Sequence, residues 1–277
     1  MCARALMAIL SAALTGGCGG QYILTVPDQV APAGGQAAAV ARLQRSEFGS
    51  FAPPVKKAAL RFQADGGPLR GAYTDSQGYA AAAVPVPAAP GHYSLSVAHL
   101  DKWGEEIAGG APLFVWPAEA SVIAIDADVL PTDRPAAEMA RAALARLFAD
   151  AQVIYLTDRS AGDVEALRRM LRANGYPAGP VVSWQRQAWH IVHESFGGVV
   201  APRVVMEERM VSPLPSLRQM FPRLQWGVCN RPSAARAFAE TGMKCLMIGP
   251  AAPRDVAHVR RADWNDAMTQ GRASFER

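Results

Sequence analysis

The sequence lacks three features that would point directly to a class of function. It has no run of lysine and arginine that could follow a nucleic acid backbone, and 28 basic against 24 acidic residues leave a formal charge of only +4. No group of cysteines and histidines has the spacing of a zinc site. No apolar run reaches the roughly 20 residues of a membrane-spanning helix. We therefore expect no nucleic acid partner, no zinc module and no retained transmembrane helix.

The N-terminus, in contrast, predicts export. MCARALMAILSAALTGGC contains one arginine, an apolar run over 5–14 and small residues up to Cys18, which is the composition of a signal peptide. The segment LTGGC resembles a bacterial lipoprotein processing box, and this resemblance implies removal of residues 1–17 and a lipid on Cys18. It places the protein in the bacterial cell envelope, periplasmic or surface-facing, with the membrane as a partner. An ordinary cleaved signal and a cytosolic start are the alternatives, since Leu14 and Thr15 depart from the usual box.

Cysteine is scarce, with four residues in the chain. If the signal is removed and Cys18 is acylated, only Cys229 and Cys245 could form a disulfide. Cys229 closes one predicted parallel strand and Cys245 opens the next, so we expect their Cα atoms to lie beyond the ~7 Å limit for bridging. The pattern therefore predicts two free, buried thiols.

Residues 21–117 show short alternating apolar segments separated by turns, which predicts an all-β sandwich. Two of its segments, TDSQGYA at 74–80 and PGHYSLSV at 90–97, resemble motifs of bacterial immunoglobulin-like domains and follow in the same order. That resemblance implies a spacer or adhesion module, to which we assign no chemistry.

The pattern changes after Pro117. Near-continuous apolar runs alternate with helical stretches over 135–150, 161–175 and 232–242; the runs are SVIAID, QVIYLT, LQWGVC and KCLMIG. Strands that are apolar on both faces are typical of a parallel sheet covered on both sides, so residues 120–277 are predicted to form a doubly wound α/β domain. The segment 182–221 has no sustained periodicity, and we expect one helix, one further strand and loops there.

Polar residues stand where three of these strands end. Asp126 and Asp128 follow the first strand, Thr157 closes the second, and Asn230 with Arg231 follows LQWGVC. Ligands of open parallel sheets bind beyond the carboxyl ends of the strands, so these side chains are the candidate site. The alternative is that the carboxylates only accept hydrogen bonds from the next loop or cap the following helix.

Four motifs in this part of the chain resemble the haloacid dehalogenase superfamily, and more closely its lipin-like phosphatidate phosphatase branch. The family pattern DxDxT is matched by Asp126-Ala-Asp128, and YLT-x-R by 155–159. The pattern NG(Y/F)-x-x-GP is matched by 174–180. Phe-Pro followed by G-x-G-N-R-x-x-D is matched in part by 221–222 and 227–231.

The resemblance implies a fold, a reaction and a set of roles. The fold would be the Rossmannoid sheet of that superfamily, and the reaction would be Mg²⁺-dependent hydrolysis of a phosphoester, including a phospholipid, through an aspartyl phosphate. Asp126 would be the nucleophile and Asp128 the acid/base, and both would hold the metal. The phosphate would be bound by residues that include Thr157, Arg159, Asn230, Arg231 and Arg209.

Three departures from the family pattern bear on activity. Ala234 stands where the last motif supplies a metal-binding aspartate, Met210 next to Arg209 stands near the position of the phosphate-binding lysine, and Leu130 replaces the threonine of the first motif. The sequence therefore predicts a catalytically degenerate relative that binds a phosphorylated ligand or a protein. An active phosphatase is the alternative.

The segment WHIVHE offers a second metal hypothesis. His190 and His193 would share one face of a helix, but no third ligand has recognisable spacing, so ordinary surface or core histidines are the simpler interpretation. Trp184, Trp189 and Phe196 nearby predict a packed cap over the sheet, with a substrate cover as the alternative.

Overall fold

The computed structural model describes residues 21–46, 52–184, 186–196, 199–249 and 259–270. The strands are β1 (Tyr22–Thr25), β2 (Gln29–Pro32), β3 (Gln36–Arg45), β4 (Ala59–Ala64), β5 (Arg70–Tyr73), β6 (Tyr79–Pro85), β7 (Gly91–Leu100), β8 (Glu106–Trp116), β9 (Val122–Asp126), β10 (Gln152–Thr157), β11 (Val181–Ser183), β12 (Arg186–Phe196), β13 (Val199–Val211), β14 (Leu224–Cys229), β15 (Lys244–Ile248) and β16 (Val259–Ala262). The helices are α1 (Arg134–Leu147), α2 (Ala161–Ala173), α3 (Leu214–Met220), α4 (Pro232–Glu240) and α5 (Trp264–Gln270). A short 3₁₀ turn, Ala127–Val129, follows β9.

Two sheets form the N-terminal part. One has the order β1-β3-β6 and the other the order β2-β8-β7-β4-β5. Alternation decides which side chains lie between them: in β4, Leu60 and Phe62 are fully buried while Arg61 is exposed. Strand β2 pairs parallel to β8, whereas β7 pairs antiparallel to β8, so the five-stranded sheet is mixed.

A six-stranded sheet with the order β11-β10-β9-β14-β15-β16 forms the C-terminal part, and every pairing in it is parallel. Helices α1, α2 and α5 pack on one face. The other face is covered by α3 and α4, and also by Phe114 and Trp116 of β8. All five residues of β9 are buried, as expected for a strand with both faces covered.

The predicted fold class, a doubly wound α/β domain of haloacid dehalogenase type after an immunoglobulin-like sandwich, is wrong. Strands cover roughly twice as many described residues as helices, and the parallel sheet is one of four sheets. The difference arises largely within 182–221. The structure has one helix there, α3, as expected, but it has the long antiparallel hairpin β12–β13 instead of a single further strand. Two further features were not predicted. Residues of β8 cover one face of the parallel sheet, and β2 pairs parallel to β8 in a sandwich that was expected to be antiparallel.

His190 and His193 lie on β12 and not on a helix, so that expectation is wrong as well. Residues three apart share a face in a helix but not in a strand, and the argument for two imidazoles on one face therefore no longer applies. The side chains of this hairpin lie outside the described part of the structure.

A buried carboxylate joins the N-terminal sheets to the parallel sheet. Asp28, which is 5% exposed, accepts a 2.8 Å hydrogen bond from the backbone N–H of Val181 and forms an ion pair with Arg168 of α2. Burial raises the pKa of Asp28, and the Val181 N–H and the Arg168 charge oppose that rise. Trp116 and Phe221 pack at the same junction, with ring centroids 5.6 Å apart. The two parts of the chain thus share polar and apolar contacts.

Candidate functional site

The candidate site lies at the carboxyl edge of the parallel sheet. Strands β10, β9 and β14 are neighbours, so parallel pairing brings Thr157, Asp126 and Cys229 to the same edge. Asn230 and Arg231 follow directly after β14. The structure therefore gathers the residues from three separated segments that the sequence singled out.

Asp126 is held by its neighbours and shielded from solvent. It is 0% exposed. Arg231 Nε donates to Oδ2 at 2.8 Å, and Arg231 Nη2 donates to Oδ1 at 3.1 Å. The indole Nε1 of Trp184 donates to the same Oδ1 at 3.3 Å. Both carboxylate oxygens thus accept hydrogen bonds from one guanidinium group, a bidentate pairing that is stronger than hydrogen bonds between neutral groups.

Arg231 links two strand ends. Its third nitrogen, Nη1, donates to Asp158 Oδ2 at 2.6 Å. Partial burial favours the neutral form of Arg231, but hydrogen bonds and charges of Asp126 and Asp158 outweigh it and raise its pKa above the ordinary value. The guanidinium is therefore a fixed positive charge with all three of its nitrogens in use.

The remaining predicted residues contact one another at the ends of the strands. Arg159 Nη2 lies 3.6 Å from Asp128 Oδ1, with both side chains more than a third exposed. Thr157 is 1% exposed, and its hydroxyl accepts a 3.1 Å bond from the backbone N–H of Arg159. Asn230 Nδ2 donates to the carbonyl of Asp128 at 3.0 Å. These groups therefore fasten the strand ends to one another.

Two predicted residues cannot be placed at this edge. The side chain of Arg209, on β13, and the whole of Cys18 lie outside the described part of the structure. The predicted lipid attachment therefore stays a prediction, as does any phosphate contact of Arg209.

The side chains at this edge do not fit a magnesium ion. Mg²⁺ needs free carboxylate oxygens in near-octahedral geometry, but Arg231 and Trp184 take both oxygens of Asp126. Ala234, where the family resemblance implies a metal-binding aspartate, is a buried residue of α4. In the parts of the chain that the structure describes, no three His, Cys, Asp or Glu residues are grouped to hold a metal ion.

The cysteines of β14 and β15 lie close to this site. Cys229 and Cys245 are free and buried, which confirms that prediction. Their sulfurs are nevertheless only 3.3 Å apart. The hydrogen bond with Cys229, burial and the charge of Asp126 raise the pKa of the Cys245 thiol, so Cys245 stays protonated and is a poor nucleophile.

Sequence reasoning missed the role of Trp184, which was predicted only as part of a packed cap. It follows β11 directly, and β11 is the neighbour of β10. A polar group one residue beyond a parallel strand was therefore the available signal, because such positions face the same edge of the sheet. Asp158, one residue beyond β10, carries the same signal.

A cavity of about 590 Å³ lies elsewhere, at the amino ends of β9 and β14. Its lining includes Ser121, Phe148, Arg223 and Trp226. Since the two ends of a parallel strand face opposite edges of the sheet, this cavity does not contain the candidate site.

Comparisons with known proteins do not identify the chain. No family model and no curated protein matches it. Among solved structures, a carbohydrate acetylesterase from Xanthomonas citri is 15% identical with a TM-score of 0.30, covering 58% of this chain and 40% of its own. Invasin, a bacterial integrin-binding protein, is 18% identical with a TM-score of 0.25, covering 39% and 23%. A Photobacterium 2,6-sialyltransferase is 9% identical with a TM-score of 0.20, covering 60% and 27%. The chain spans less than half of each of these structures, and TM-scores this low do not show a shared fold or function.

Proposed function

We propose that the chain is a non-catalytic envelope lipoprotein, attached through Cys18, whose sheet edge binds a protein partner instead of hydrolysing a phosphoester. The observation that carries the proposal is the engagement of Asp126. A nucleophile needs a free oxygen that can reach phosphorus, whereas Asp126 is fully buried and both of its oxygens accept hydrogen bonds from Arg231.

Charge favours a protein partner over a phosphorylated ligand. Among the described side chains at the edge, three aspartates (Asp126, Asp128 and Asp158) face two arginines (Arg159 and Arg231), which leaves a net charge of −1. A phosphate dianion would be repelled, since two unit charges 4 Å apart interact by about 4 kcal/mol at an effective dielectric of 20. A protein surface carrying both signs of charge can pair with the exposed side chains of Asp128, Asp158 and Arg159.

The envelope location rests on the N-terminal sequence. The apolar run over 5–14 and the LTGGC segment support export and acylation of Cys18. None of the helices in the described ranges is long and apolar enough to cross a membrane.

Phosphatase assays test the loss of catalysis. Purified protein is incubated with Mg²⁺ and either p-nitrophenyl phosphate or phosphatidate, beside Asp126→Asn and Asp128→Asn. We expect the same background release of phosphate from all three proteins. Mg²⁺-dependent release that Asp126→Asn abolishes would contradict the proposal and establish the alternative, an active phosphoester hydrolase.

Crosslinking tests the partner. A photoreactive residue at the exposed position Asn230 should yield a protein adduct in the envelope, whereas the same residue at the exposed position Glu138 on α1 should not. Calorimetry with inorganic phosphate gives the opposing test. A heat of binding that Arg231→Ala removes would show that the edge takes a phosphorylated ligand instead.

A further inference from the structure

We infer that the end of the N-terminal sheets formed by the β7–β8 turn faces and contacts the surface of a phospholipid bilayer. This tip surface consists of Ile23, Tyr73, Leu100, Lys102 and Trp103. Its orientation rests on the proposed lipid on Cys18, and its chemistry rests on these exposed side chains alone.

Large apolar side chains are concentrated at this end. Trp103 is 80% exposed, Tyr73 75%, Leu100 49% and Ile23 41%. They are four of the six large hydrophobic residues that are exposed in the described part of the chain. Single exposed hydrophobics are ordinary, whereas several at one end of a molecule mark an interaction surface.

Strand pairing explains why these residues meet. Tyr73 of β5 lies opposite Ala59 of β4, and the next residue of β4, Leu60, lies opposite His99 of β7. Leu100 follows His99 and ends β7, so Tyr73 and Leu100 stand at the same end of the sheet. The turn that carries Trp103 begins one residue later.

The turn presents Trp103 outward in a fixed conformation. The backbone N–H of Trp103 donates to Asp101 Oδ1 at 2.8 Å, and Gly104 closes the turn at a φ of +80°, which favours glycine. Lys102 Nζ lies 4.8 Å from the centre of the indole ring. Tryptophan beside lysine is the pairing found at membrane interfaces, where the ring sits among the headgroups and the ammonium faces the phosphates.

Three of the four lysines of the chain lie at this end. Besides Lys102, these are the exposed residues Lys56 and Lys57, and the backbone N–H of Lys57 donates to the carbonyl of Thr74, next to Tyr73. Four carboxylates oppose these charges at the same end. Asp75 and Asp101 accept backbone N–H groups and Glu106 pairs with Arg61, but they keep their negative charge, as does Glu105. The exposed ammonium groups can contact anionic headgroups, and the apolar side chains carry the inference.

The start of the described chain lies at the same end. The rings of Tyr22 and His99 are 5.8 Å apart, which places the start of β1 beside the end of β7. Cys18 precedes Tyr22 by four residues, a length of at most about 14 Å even in a fully extended chain. Strand β8 runs from the tip at Glu106 to Trp116, about 34 Å further on. A lipid on Cys18 would hold the tip surface at the membrane and the parallel sheet away from it.

Vesicle binding tests the tip surface without the anchor. A chain beginning at Gly19 lacks the apolar run and Cys18 but keeps every described residue. We expect it to sediment with vesicles of phosphatidylcholine and phosphatidylglycerol, and Trp103→Ser or Leu100→Ser to weaken binding about tenfold. Leu69→Ser is the matched control, because Leu69 is 57% exposed but lies at the far end of β5 from Tyr73. No sedimentation with vesicles, or an equal loss with Leu69→Ser, would overturn the inference.

Palmitate labelling separates this inference from the proposed function. Uptake of label by the full chain that Cys18→Ser abolishes supports the anchor. If the chain beginning at Gly19 binds vesicles but the full chain takes up no label, the tip surface is supported and the lipid anchor is contradicted. If the full chain is labelled but the chain beginning at Gly19 does not bind vesicles, the anchor is supported and the tip surface is contradicted.

Discussion

Replacing Arg231 by alanine is the most direct perturbation of the candidate site. The substitution leaves Asp126, which is 0% exposed, with the indole of Trp184 as its remaining side-chain partner. Removing one partner of a buried ion pair costs about 3–5 kcal/mol, because the other charge stays buried without compensation. Arg231 is 33% exposed, so the pair is only partly desolvated and we take the lower end, about 3 kcal/mol. The bond to Asp158, which is 52% exposed, adds little.

The assay is urea denaturation, with thermal unfolding as a second measure. About 3 kcal/mol corresponds to a fall in Tm of roughly 6–12 °C for a chain of this size. The matched control is Arg159→Ala, because Arg159 faces Asp128 at 3.6 Å with both side chains more than a third exposed. We expect that control to change the free energy of unfolding by less than about 1 kcal/mol.

A double-mutant cycle identifies the cause. In the Arg231→Ala background, Asp126→Asn removes the uncompensated charge, so the double variant should be more stable than the sum of the single effects by at least about 1 kcal/mol. Additive effects, or equal losses from Arg231→Ala and Arg159→Ala, would refute the conclusion that a buried pair closes the site.

Two further predictions concern burial. Asp28→Ala should lower the free energy of unfolding by about 2 kcal/mol, because Arg168 and a buried N–H lose their acceptor. Burial raises the pKa of Asp28 in the folded state, so its protonation stabilises the fold below the unfolded pKa of about 3.9, and this contribution is lost as the pH rises through the folded pKa. Asp28→Asn should remove this pH dependence of the free energy of unfolding in denaturation curves. An unchanged dependence would exclude Asp28 as its source. Gly227→Ala should lower the free energy of unfolding by about 1–3 kcal/mol, since a Cβ there would lie 2.4 Å from the ring of Phe238. The control is Gly71→Ala, whose Cβ would meet nothing nearer than 4.0 Å. Equal unfolding midpoints for the two variants would contradict the packing argument.

Much of the local structure was readable from the sequence. The apolar runs of the C-terminal half became β9, β10, β14 and β15, and the three predicted helices became α1, α2 and α4. The reason is that hydrophobic periodicity is a property of neighbouring residues and needs no knowledge of the rest of the chain.

The segment 182–221 shows where that reasoning fails. Its aromatic and β-branched residues form the β12–β13 hairpin, in which Phe196 pairs with Val199 and Arg186 with Val211. The segment has no sustained alternation of apolar and polar residues, so the pattern that predicts strands was missing there. The fold class failed for a second reason, because the covering of one sheet face by Phe114 and Trp116 is a contact between distant segments.

The sequence by itself determined which polar residues end the parallel strands, because the end of an apolar run is visible in the chain. Only the tertiary structure decided that Arg231, 105 residues after Asp126, turns its guanidinium onto that carboxylate. The physical reason is that burial of a charge is a property of the assembled fold: the same aspartate is a nucleophile when an oxygen is free and a structural ion when both oxygens are held.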